Sequence, residues 1–95
     1  MNKCEKLINK LNLAPHPEGG HFVETLRDTK GNMSHIYYLL KKGEISNWHK
    51  LTKNENLHFY DGDPLKVFLS CDKIHTSEII LGRDLTKKQR YHFTV

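Results

Sequence analysis

The sequence predicts an all-β domain, an antiparallel sandwich or barrel, with one α-helix at its N-terminus. Three observations predict it. Apolar residues recur at helical spacing only in the first dozen positions. After them come about seven short runs that alternate between apolar and polar. Turn signals built on Gly, Asn, Asp and Pro separate these runs at regular intervals.

In the helix, Asn2 is placed to cap and Glu5 follows three residues later, a capping-box-like pair. Cys4, Leu7, Ile8 and Leu11 form one apolar stripe, and Lys3, Lys6, Asn9 and Lys10 fall on the wet side. Pro15 disfavours helix at the residue before it, so the helix should end near Asn12. Residues 13–25, LAPHPEGGHFVET, hold two prolines and two glycines and read as an irregular loop.

Strands are expected over 21–27 and 35–41, joined by a turn at Lys30-Gly31-Asn32. In 35–41, His35, Tyr37 and Leu39 share one face and Ile36, Tyr38 and Leu40 the other. Both faces are apolar enough that this strand should be central or lie at a subunit interface. After Gly43 a further strand should turn Ile45, Asn47 and His49 to one side, with Ser46 and Trp48 on the other. Next, Glu55, Leu57 and Phe59 alternate with Asn56, His58 and Tyr60. The turn Asp61-Gly62-Asp63-Pro64 leads to a strand over 65–69. Strands over 74–81 and 89–95 complete the set.

At 95 residues the chain is read as a single domain, residues 1–13 forming the helix and 14–95 the barrel portion. Its charged fraction of 27% suits a globular protein rather than a disordered one. No apolar run reaches the ~20 residues of a membrane helix, and the N-terminus lacks a signal-peptide core, so no membrane association and a cytoplasmic location are expected. Cys4 and Cys71 are expected to be free thiols. The net charge is +4, but the lysines are scattered and make no basic stripe, so no nucleic-acid partner is expected.

Chemistry-bearing residues cluster in two places. His16, Glu18, His21 and Glu24 crowd the loop and strand at 15–24, where they could wall a pocket together with Tyr37 and Trp48. His49 and Glu55 sit between Gly43 and Gly62 on adjoining strands and are the candidate catalytic pair, able to move a proton.

The spacing Gly43, His49, Leu51, Glu55, Gly62 resembles the first cupin motif, with leucine at 51 where that motif usually has histidine. The segments 13–20 (LAPHPEGG), Trp48-His49, His58-Phe59-Tyr60, Gly62-Asp63-Pro64-Leu65 and Leu81-Gly82 resemble one small cupin subgroup long labelled a domain of unknown function. The resemblance implies an RmlC-like jelly roll, a double-stranded β-helix with its pocket in the barrel mouth. It also implies a chain shortened at the C-terminus, before the second cupin motif. Better-known cupins include metal-dependent dioxygenases and isomerases, and sugar-nucleotide epimerases that use no metal. In this family His49 and Glu55 would match two metal ligands, but Leu51 cannot ligate. A stable site normally needs three protein ligands, so no metal and no cofactor are expected.

The expected function is therefore binding of a polar small molecule such as a sugar derivative. The alternatives are an isomerase or epimerase working through His49 and Glu55, a metal-dependent cupin enzyme, or a shortened copy kept for its dimer-forming surface. A homodimer contacting through sheet edges is expected, because a chain this short has a marginal core and the edge of the last strand lacks an in-chain neighbour. By strand alternation His49, Glu55, Leu57 and Phe59 should face inward and His58 and Tyr60 outward.

Overall fold

A computed structural model describes residues 1–95. The chain divides into two compact units, Met1–Lys50 and Leu51–Val95.

The first unit opens on α1, Lys3–Leu11. Asn2 caps it, its side-chain oxygen accepting the Glu5 N–H at 2.8 Å. At the other end Asn12 adopts the left-handed conformation, with φ 56°. The Leu13 N–H then donates to the Ile8 carbonyl at 2.9 Å and the Asn12 N–H to the Asn9 carbonyl at 3.4 Å. These paired bonds close a Schellman motif, and the residue after the left-handed position, Leu13, is buried. Both ends of the helix are therefore where Asn2 and Pro15 place them.

Three antiparallel strands follow, β1 Ala14–Pro15, β2 His21–Arg27 and β3 Ser34–Leu39, in the order β1-β2-β3. Residues 14–15 read as loop in the sequence but pair with Phe22 and His21. Pro15 is tolerated there because β1 is an edge, where a missing N–H need not break a ladder. The register shifts between Glu24 and Leu26, a bulge with no sequence signal. β3 is the other edge of this sheet, not a central strand. Ile36, Tyr37 and Tyr38 accordingly remain 44%, 42% and 37% exposed.

The expected strand around 45–49 is absent. Residues 44–50 belong to no ladder, and Ile45 through Lys50 are exposed. They alternate like a strand but have no partner strand; the Asn47 N–H instead donates to the Glu18 carbonyl at 2.8 Å.

The second unit contains β4 Asn56–His58 paired with β7 His92–Thr94, and β5 Leu65–Leu69 paired with β6 Ser77–Leu81, all antiparallel. The strand expected over 65–69 is present at those bounds, and those expected over 74–81 and 89–95 are present but shorter. Between β6 and β7, a 3-10 turn at Leu85–Lys87 is capped by Asp84, whose carboxylate accepts the Thr86 N–H at 3.1 Å. Leu81, the most buried apolar side chain, lies where β6 meets Arg90 in a parallel bridge.

Candidate functional site

The loop from His16 to Gly20 is built by its own hydrogen bonds. The His16 N–H donates to the Gly20 carbonyl at 2.8 Å, and the Gly19 N–H donates to the His16 carbonyl at 3.0 Å. The Glu18 N–H donates to Nδ1 of His16 at 3.0 Å. Accepting that bond leaves Nδ1 without a proton, so a neutral His16 ring is protonated at Nε2. The ring packs edge-on against Phe22 at 4.8 Å and Tyr38 at 5.4 Å. The Tyr38 hydroxyl donates to the Gly19 carbonyl.

Gly19 and Gly20 are required by this packing. Both have positive φ, 108° and 79°. A Cβ at Gly19 would collide with the Ile45 carbonyl oxygen, and one at Gly20 would approach the Leu39 carbonyl oxygen to 2.7 Å. The loop and the 44–47 segment thus fit together because two side chains are missing.

The candidate pocket residues of this unit do not share one wall. Cross-strand register puts His21, Val23, Tyr37 and Leu39 on one face of the sheet. Phe22, Glu24, Ile36 and Tyr38 occupy the other, and His16 packs there. Glu24 is committed to Arg27, which reaches both carboxylate oxygens at 3.0 and 2.8 Å. That guanidinium holds the Glu24 carboxyl below its usual range, and the bonded carboxylate raises Arg27 in turn. On the opposite face, Nδ1 of His21 is buried with no hydrogen-bond partner in the chain. Trp48 is 63% exposed, and His49 makes a local contact from Nδ1 to the Asn47 carbonyl at 3.0 Å.

In the second unit Glu55 exchanges backbone bonds with Val95, at 3.2 and 2.8 Å. Glu55, Leu57 and Phe59 are half-buried while Asn56, His58 and Tyr60 are exposed, the alternation read from the sequence. On the exposed face His58 stacks on His92 at 4.7 Å, a partner 34 positions along the chain that no local spacing announces. A further cluster lies at the β5–β6 turn, where the D-x-x-H spacing of Asp72 and His75 is a local sequence signal. There Asp72 accepts a bond from Nδ1 of His75 at 2.7 Å, and further bonds from the N–H groups of Ile74 and His75 at 2.9 and 2.8 Å. The His75 side chain, aided by these amides, holds the Asp72 carboxyl well below the ordinary carboxylate range.

No group of three or more His, Cys, Asp or Glu side chains is gathered in a way that could hold a metal ion. Two surface concavities are lined by none of the pocket residues expected from the sequence. One, of about 530 Å³, is lined by α1 residues including Lys3, Leu7 and Lys10; the other, of about 230 Å³, lies at the β5–β6 turn.

Residues 5–95 match the family described as Cupin superfamily (DUF985). The chain belongs to this cupin family. The X-ray crystal structure of protein SO0799 from Shewanella oneidensis is similar over the whole chain, with 31% identity and a TM-score of 0.91. A hypothetical protein from Leishmania major is similar over 99% of the chain, with 26% identity and a TM-score of 0.83. The chain spans 64% and 65% of the lengths of these two structures. No curated protein matches it. Strands preceded by one short helix, together with these matches, make the fold a cupin-like jelly-roll portion. No helix is long and apolar enough to cross a membrane.

Proposed function

We propose that this cupin domain binds a polar small molecule, such as a sugar derivative, on the sheet face that carries His21 and Tyr37. One observation carries the reading: Nδ1 of His21 is buried and has no partner within the chain. A buried polar atom left unpaired costs about 1–3 kcal/mol, so folded proteins nearly always satisfy such groups, with water or ligand where the chain does not. A ligand hydroxyl that displaces the atoms now covering this nitrogen can donate to it or accept from it, according to tautomer. His16 supports the reading from the other face by locking the loop that leads into β2.

The test is saturation-transfer NMR with a panel of free sugars, sugar phosphates and nucleotide sugars, on the wild type and on His21→Phe. Binding of at least one panel member, weakened ten-fold or more in a folded His21→Phe variant, is the expected result. A panel that does not bind, or that binds the variant equally well, contradicts the reading.

The partner we propose is a second copy of the chain. Support comes from β3, an edge strand with Ile36 and Tyr38 on one face, both more than one-third exposed. An edge strand of this composition pairs readily with another chain. Light scattering over a dilution series should give twice the chain mass at micromolar concentration; a monomer there contradicts it.

A further inference from the structure

The β4–β7 ladder places two imidazoles side by side on an exposed face. Glu55 and Val95 exchange two backbone bonds, so they form a hydrogen-bonded pair. Pairs alternate along an antiparallel ladder, which makes Asn56–Thr94 and His58–His92 non-hydrogen-bonded pairs. In such pairs the Cα atoms lie only about 4.5 Å apart and the side chains are closest. The rings of His58 and His92 accordingly lie 4.7 Å apart, 29° from parallel. Tyr60 stacks on His58 at 6.4 Å, and the ladder residues of this face, Asn56, His58, His92 and Thr94, include no Lys, Arg, Asp or Glu.

A second contact prepares one ring to ligate. The Thr94 hydroxyl donates to the Asn56 side-chain oxygen at 2.5 Å and lies 3.3 Å from Nε2 of His92. The single hydroxyl proton is used on Asn56, so Nε2–H of His92 is the donor in the second contact and its lone pair sits on Nδ1. A hydrogen bond that fixes the tautomer of an imidazole is the usual outer support of a histidine metal ligand.

We infer that His58 and His92 form a two-histidine chelate for a divalent transition metal of the copper, nickel and zinc class, with Thr94 as the positioning residue. His92 keeps its bond to Thr94 and offers Nδ1, while the His58 ring turns about χ2 out of the stack so that one nitrogen of each reaches the same ion at about 2.0–2.1 Å. Water fills the remaining positions on this solvent-facing surface, so with two protein ligands the ion is held reversibly and not as a stable three-ligand centre. Neutral nitrogen donors select the later transition metals over magnesium or calcium, with copper(II) the tightest of the series. The site shares no residue with the face proposed for the small molecule.

The experiment titrates the full chain with zinc chloride alone, followed by calorimetry and by imidazole ¹⁵N NMR. One zinc per chain should bind, with the ¹⁵N resonances of His58 and His92 moving together while His75 stays in place. His58→Gln or His92→Gln should each weaken binding ten-fold or more, and Thr94→Val by roughly ten-fold. Copper(II) should bind more tightly than zinc. The wild-type NMR titration needs no variant, so a misfolded substitution leaves the test intact. Shifts spread evenly over the histidines, no saturable binding, or equal loss in His75→Gln would overturn the inference.

Discussion

The loop at 16–20 and the segment at 44–50 exchange the characters their sequences suggest. The first is rich in Pro and Gly and reads as irregular, yet His16, Glu18, Gly19 and Gly20 hold it by backbone and ring contacts. The second alternates like a strand, yet forms no ladder and stays exposed. What orders the second is the first, through the Asn47 N–H on the Glu18 carbonyl and the Ile45 backbone against Gly19. Alternation shows which side chains could share a face, but only a partner's N–H and C=O groups make a strand. A glycine pair can be the more rigid element when another backbone passes where its side chains would be.

Substituting the glycines breaks the contrast most strongly. Gly19→Ala combines positive φ with a collision against the Ile45 carbonyl, and should destabilise the domain by about 2–3 kcal/mol. Gly31 also has positive φ, 70°, but nothing lies near its missing side chain. Gly31→Ala should therefore cost only about 1–2 kcal/mol. Urea denaturation of the two variants separates strain from packing, and equal losses would remove the packing role given to Gly19.

The β5–β6 turn sharpens the comparison, since a carboxylate rather than glycine organises it. Asp72 is held deprotonated by His75 and two amides, so its folded pKa is depressed. A depressed carboxyl contributes stability that is present above its unfolded value, about 3.9, and is lost as pH falls toward the folded value. Acid denaturation below pH 4 should therefore be shallower in Asp72→Asn than in wild type, while Gly19→Ala keeps the wild-type slope. Parallel acid profiles for Asp72→Asn and wild type would contradict the role given to Asp72.

The smallest effect is expected at Glu24. Its bond to Arg27 is short but lies at the surface, and such pairs add little after screening. Glu24→Gln should leave the urea midpoint unchanged in 0.5 M salt, and a clear shift would show that β2 depends on this pair.

Much of the fold was legible because its signals are local. The caps of α1, the span of β2 and the inward alternation of Glu55, Leu57 and Phe59 follow from side-chain type and spacing. The pairing of Ala14–Pro15, the edge position of β3 and the unpaired state of 44–50 depend on which backbones meet, and periodicity does not carry that information. The candidate wall of His16, His21 and Glu24 divides for a reason that was legible: positions 21 and 24 of one strand face opposite ways. His58 and His92 become neighbours only through the β4–β7 register.

Amide hydrogen exchange at residues 44–50 tests the central claim most directly. The glycine loop holds this segment through a single backbone donor. The Asn47 amide should thus be protected while those of Ile45, Ser46, Trp48 and His49 exchange freely, and Gly19→Ala should abolish the Asn47 protection. Protection alternating along 45, 47 and 49, and surviving Gly19→Ala, would mean that these residues form a paired strand and that the loop does not hold them.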